Sequence, residues 1–229
     1  MYFDKRIIYV LLGVMLIFSL SSFDLTSTLL SLPGVLIAIT FHEFAHGYAA
    51  YKLGDNTAKE QGRLSLNPLN HIEPVGIFLL IFAGFGWGKP VQIDSNNFDR
   101  KYSLAASEAI VAAAGPIMNF VVAIISSIIY GILLRYMGYT NIISMIVLYT
   151  ITTNVGLGVF NLIPLPPLDG SKILMYFVNY ETKRWLQDNE QLFYILFLIL
   201  WMTRLANVII VPIISFITNL ILKIAFIIA

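Results

Sequence analysis

Leu29–Tyr51 reads LLSLPGVLIAITFHEFAHGYAAY, and its interpretation decides the fold. Apart from Ser31, Thr40 and the run His42-Glu43-Phe44-Ala45-His46, the stretch is apolar and long enough to cross a bilayer as a helix. The run is an H-E-x-x-H motif. On a helix, positions four apart share one face. Two imidazoles so placed can bind one Zn²⁺, and the Glu beside the first can activate a water. A carboxylate and two imidazoles are costly in a lipid-spanning stretch, which marks them as functional.

The whole chain agrees with a membrane setting. Its 229 residues are 58% hydrophobic, only 12% are charged, and the mean hydropathy is +0.81. Soluble domains carry about twice that charge. The net charge of +1 and the lack of a basic tract exclude nucleic acid as an expected partner. There is no cysteine, so disulfides and thiolate metal sites are excluded, and histidine and carboxylate are the available zinc ligands.

Working outward, Lys5 and Arg6 precede the apolar run Ile7–Leu20. The run has some features of a signal peptide, but further spans follow it rather than a secreted domain, so it is read as an uncleaved first span. Ser21–Thr28 carries no Lys or Arg, whereas Lys52–Arg63 carries three, Lys52, Lys59 and Arg63. The span Leu29–Tyr51 therefore runs from outside to cytoplasm. With Lys52 at the boundary, His46 lies roughly 9 Å and His42 roughly 15 Å below the cytoplasmic surface, at about 1.5 Å per residue. Val75–Gly88 is apolar but short, and glycine-rich, which suits a re-entrant element or hairpin. Gln92–Ser103 is a polar cytoplasmic connector.

A third span covers about Leu104–Leu134 and contains Glu108 and Ala112-Ala113-Ala114-Gly115-Pro116-Ile117-Met118-Asn119. Small residues there permit close helix approach, and Pro116 kinks the helix or frees a carbonyl. A fourth span, about Ile142–Ile163, ends in Asn161-Leu162-Ile163-Pro164-Leu165-Pro166-Pro167-Leu168-Asp169-Gly170. Gly170–Val178 suits a short helix, and Lys183–Gln191 is a polar cytoplasmic segment. Gln191–Ile228 reads as two spans turning near Arg204. The expected fold is an all-α polytopic membrane protein. It has about six transmembrane helices, a re-entrant or hairpin element after the second, and a single domain over residues 1–229. Twelve Lys/Arg fall inside and two, Arg135 and Arg204, outside. That distribution places both termini in the cytoplasm and the chain in the cell membrane as a multi-pass protein.

Two histidines do not complete a zinc site. The further candidates are Asp169, His71, Glu73 and Asp55. Asp169 is favoured because it follows an apolar span through a Pro-broken segment that can bend back into the protein. His71 is read as a locally hydrogen-bonded residue in a surface turn. Glu43 is the expected general base. Asn119 and Asn161 are amides within apolar spans. They suit either interhelical hydrogen bonds or contacts to substrate backbone or oxyanion.

Together, His42-Glu43-x-x-His46, Gly115-Pro116-x-x-Asn119 and Asn161 followed by Leu168-Asp169-Gly170 resemble the site-2 protease family of intramembrane zinc metalloproteases, peptidase family M50. Gly62-Arg63-Leu64-x-Leu66-Asn67-Pro68, His71-Ile72-x-Pro74 and Gly86-Trp87-Gly88-Lys89-Pro90-Val91 resemble its compact bacterial branch, without PDZ or CBS domains. The resemblance implies one Zn²⁺ per chain held by His42, His46 and Asp169, with Glu43 as base. It implies a hairpin in the Leu64–Val91 region. Asn119 and Asn161 are the expected substrate-binding residues, and the expected substrate is a membrane-spanning or membrane-held protein. The expected function is intramembrane peptide hydrolysis near the cytoplasmic face. The alternative is a non-hydrolytic metal-binding protein or transporter, which the lack of a second ionisable cluster disfavours.

Overall fold

The computed structural model describes residues 24–76, 78, 88–202 and 205–229. The described residues are helical throughout their regular structure. In chain order the helices are α1 (Leu25–Lys52), α2 (Thr57–Glu60), α3 (Leu104–Met137), α4 (Ile142–Asn161), α5 (Asp169–Phe177), α6 (Tyr180–Asp188), α7 (Glu190–Met202) and α8 (Leu205–Ile228).

Local chemistry sets the helix ends. Asp24 caps α1 by accepting from the N–H groups of Thr26 and Ser27, at 3.0 and 3.2 Å. Ser103 caps α3 and Asn141 caps α4 in the same way. Gly138, at φ 77°, ends α3 in a conformation that a side chain disfavours. Pro33 and Pro116 lie inside α1 and α3 without ending them, as membrane helices allow when neighbours meet the freed carbonyl.

Among the described residues four helices are long and apolar enough to cross a membrane: α1, α3, α4 and the Val208–Ile228 part of α8. Their outer faces are apolar, with Ile117, Ile125 and Ile132 of α3 exposed. Their inner faces carry the polar side chains, among them the fully buried Asn119, Ser127 and Asn154. That arrangement suits a lipid solvent, and the chain is a membrane protein. The span expected at Ile7–Leu20, the turn expected near Arg204 and most of the Val75–Gly88 element lie outside the described residues.

α3 is the central helix. It packs against α1, α4, α5 and α8. One apolar cluster joins Ala123 and Tyr130 of α3, Ile151 and Val155 of α4, and Ile221 and Ala225 of α8. The Ser127 hydroxyl donates to Ile221 O across α3 and α8 at 2.8 Å, one of the interhelical bonds that replace the hydrophobic effect in lipid. α1 approaches α4 so closely that a Cβ on Gly34 would lie 2.7 Å from Thr150 Cα. A second cluster, Ala50, Leu53, Phe98 and Val111, closes the Lys52 end of α1.

Candidate metal centre

The H-E-x-x-H run sits on the last turns of α1, which are regular helix to Lys52. His42 and His46 project from one face, and both are buried. Asp169 is the first residue of α5. It reaches this face because the Pro-rich segment after α4 turns back on itself, with Leu165 N–H donating to Ile163 O and Leu168 N–H to Leu165 O. Gly170 makes the return possible. A Cβ there would lie 2.4 Å from the carbonyl oxygens of Leu162 and Ile163.

Three ligating atoms converge. His42 Nε2 and His46 Nε2 are 3.0 Å apart, and Asp169 Oδ2 lies 3.1 Å from the first and 3.2 Å from the second. Gly115 of α3 leaves the space, since a Cβ there would lie 2.4 Å from His46 Nε2. Among the described residues this is the group of His, Asp and Glu side chains able to hold a metal. Asp55 is not part of it. Its carboxylate accepts from Thr57, Asp94 and Asn97 within the connector. His71 is not part of it either. It is fully buried rather than at the surface, and its Nε2–H donates to Ser65 O at 2.7 Å.

The protons can be placed by following the amides. Ala38 O can only accept, so Asn119 turns its NH₂ toward it at 3.0 Å and gives a second hydrogen to Asn154 Oδ1 at 3.0 Å. Asn154 is itself oriented by Thr150 O, to which its NH₂ donates at 2.9 Å. Asn119 Oδ1 therefore faces His42, and His42 Nδ1–H donates to it at 2.7 Å. His46 Nδ1–H donates to Val111 O at 2.7 Å. With both protons on Nδ1, both Nε2 lone pairs point at Asp169 Oδ2, a buried oxygen without a hydrogen-bond donor. Two lone pairs and a carboxylate oxygen this close repel unless a cation or a shared proton lies among them.

Zinc fits this set. Ligand bonds of about 2.0–2.2 Å at tetrahedral angles separate ligand atoms by about 3.3–3.6 Å, near the observed edges. The donor types, two neutral imidazoles and a carboxylate, match a catalytic site with three protein ligands and one open position. The outer bonds from Nδ1 to an amide and a carbonyl hold each ring at the tautomer that a metal requires.

Glu43 lies beside this group, half-buried, and Val91 N–H donates to its Oε2 at 2.8 Å. Asn161 is half-buried at the end of α4, with its NH₂ donating to Leu157 O at 3.1 Å in its own helix. Asn119 differs from the expected substrate contact in a definite way. Both of its amide hydrogens are engaged inside the protein, and its oxygen serves His42. Asn154 was not anticipated, although an amide within the apolar run of α4, four residues after Thr150, carries the same signal as Asn119. The carbonyl of Val111 and the N–H of Val91 are backbone groups, and no residue type announces them.

The profile of peptidase family M50 matches residues 135–203, which include Asp169. Two relatives share the name "Putative zinc metalloprotease". YwhC of Bacillus subtilis (strain 168) is 36% identical over 186 residues, spanning 79% of this chain and 84% of its own. Rip2 of Mycolicibacterium smegmatis is 27% identical over 196 residues, spanning 78% of this chain and 69% of its own. No solved structure matches the chain. Family profile, relatives and a zinc-competent ligand set agree, and the chain belongs to peptidase family M50 as a zinc metalloprotease.

Proposed function

We propose that this metalloprotease hydrolyses peptide bonds of membrane-spanning or membrane-held proteins, inside the bilayer and near its cytoplasmic face. The observation that carries the proposal is the burial of the His42, His46 and Asp169 atoms against α1 and α3, two helices long and apolar enough to cross a membrane. The Lys/Arg distribution supports an orientation with Lys52 at the cytoplasmic boundary and both termini in the cytoplasm of a multi-pass cell-membrane protein.

In this reading His42, His46 and Asp169 are the ligands. Zinc held by them supplies Lewis acidity toward a carbonyl and lowers the pKa of water toward about 7. Glu43 is the general base. Its Oε2 is held by Val91 N–H, which leaves Oε1 to take a proton from the attacking water and pass it to the leaving amine. Asn119 is a positioning residue for His42. Asn161, placed just ahead of the segment that carries Asp169, is the amide proposed to meet the substrate backbone. The scissile stretch must lose helix locally, because a helix engages its carbonyls in its own hydrogen bonds.

The test uses purified protein in liposomes with two labelled reporters, one bearing a single apolar span and one soluble and unfolded. Glu43→Gln should retain one zinc per chain while cleavage of the spanning reporter falls by at least about a hundredfold. Near-normal cleavage by that variant sinks the assignment of Glu43. Cleavage of the soluble reporter alone by the unaltered protein sinks the intramembrane reading.

A further inference from the structure

A general base is more effective when its carboxylate is held in one orientation, and here a backbone N–H holds one of its oxygens. Val91 lies in a segment, residues 88–91, that belongs to no helix or sheet. No backbone ladder therefore holds that donor in place. Two contacts do. Lys89 N–H donates to His71 O at 2.8 Å. Arg63 Nη2 donates to Lys89 O at 2.6 Å and to Pro90 O at 3.2 Å.

The second contact has a specific consequence. Pro90 C=O and Val91 N–H belong to one peptide unit, which is planar, and in its trans form the two groups point in opposite directions. Arg63 grips that plane at the oxygen, and Glu43 receives it at the hydrogen. A guanidinium on the carbonyl also polarises the unit and strengthens the N–H as a donor.

We propose that Arg63 is a positioning residue for Glu43, acting through the Pro90–Val91 peptide plane. The inference rests on the reading of Glu43 as the base. Arg63 touches neither ligand atoms nor the reacting groups. Its removal leaves the metal set intact and lets the carboxylate rotate, and misplacing a catalytic group by about 1 Å can cost on the order of a hundredfold in rate.

The experiment uses the full chain in detergent micelles and a labelled reporter peptide containing a single apolar span. Arg63→Ala should keep one zinc per chain and a KM within about twofold, while kcat falls at least about tenfold. Amide exchange in the fragment covering residues 88–92 should rise about tenfold, with exchange in α1 unchanged. Arg63→Lys, whose ammonium can still donate to either carbonyl, should recover much of both effects. Combined with Glu43→Gln, the Arg63→Ala change should add little further loss, because the group it positions is gone. Unchanged exchange at residues 88–92, loss of zinc, or a full multiplicative loss in the double variant would overturn the inference. Normal cleavage by Glu43→Gln alone would remove the base reading and the inference together. An inactive Glu43→Gln beside a fully active Arg63→Ala would remove the inference only.

Discussion

At the scale of single residues, the metal centre depends on groups that differ in what their loss should do. Asp169 supplies the one charge among the three ligating atoms. Two neutral imidazoles alone leave Zn²⁺ with its full double charge in a medium of low dielectric. Asp169→Ala should therefore lose most of its zinc. Asn119 holds His42 at the correct tautomer through a 2.7 Å bond, and removing such a partner weakens metal binding by about ten- to a hundredfold. Asn119→Ala should thus require about that much more free zinc for half-occupancy. His71→Ala removes a buried imidazole that has no part in the cluster, and it should keep its zinc. The measurement is a zinc titration of the purified variants followed by metal analysis. A zinc-replete Asp169→Ala beside an empty His71→Ala would transfer the third ligand to His71.

At the scale of elements, the connector between α1 and α3 holds the floor of the site. A Cβ on Gly47 of α1 would meet Ala58, Leu64 and Val91, so this face of α1 packs directly on the connector. The connector is knotted by Asp55. Burial alone would raise its carboxyl pKa, but hydrogen bonds from Thr57, Asn97 and the N–H groups of Thr57 and Asp94 outweigh burial and hold it below the ordinary carboxylate value. A folded-state pKa below the unfolded one means that this contribution is fully present above the unfolded value, about 3.9, and is lost as pH falls from there through the folded value. Limited proteolysis of the connector by an acid-active protease should therefore be slow at pH 5 and accelerate below about pH 4. Asp55→Ala should already show fast cleavage at pH 5, having lost about 2 kcal/mol of local stability with its partners left unpaired. Equal cleavage rates for both proteins at pH 5 would remove Asp55 as the knot.

At the scale of the whole molecule, the prediction is topological. α3 and α4 join through residues 138–141, at the end of α3 far from Ser103. Lys52, Asn56, Lys59 and Glu60 are exposed at the other end of α1. The chain has no cysteine, so single cysteines report without background. Lys59→Cys and Glu60→Cys should react with a membrane-impermeant thiol reagent only from the cytoplasmic side. Tyr139→Cys, at a residue 65% exposed, should react only from outside. Labelling of the first two from outside would invert the orientation and move the site to the opposite face of the membrane.

The sequence by itself determined the class of the molecule and most of its chemistry. Long apolar runs have few stable forms in lipid other than helices, so α1, α3 and α4 were legible as spans, although α1 begins at Leu25 rather than Leu29, α3 runs on to Met137 and α4 stops at Asn161. The ends themselves, capped by Asp24, Ser103, Gly138 and Asn141, were set by the structure. The shared face of His42 and His46 was legible because four-residue spacing on a helix is local geometry. Asp169 was nameable as a favoured partner from its Pro-broken setting. Its arrival at 3.1 Å from His42, across a chain separation of more than a hundred residues, was decided only by the packing of α5 on α3. The same holds for Asn119, whose bonds to His42 and Asn154 are the interhelical alternative of its two readings, and for His71, expected at the surface and found buried. The N–H of Val91 and the carbonyl of Val111 were beyond sequence reading altogether. Every residue but proline carries both groups, so only the path of the backbone in space selects which ones serve Glu43 and His46.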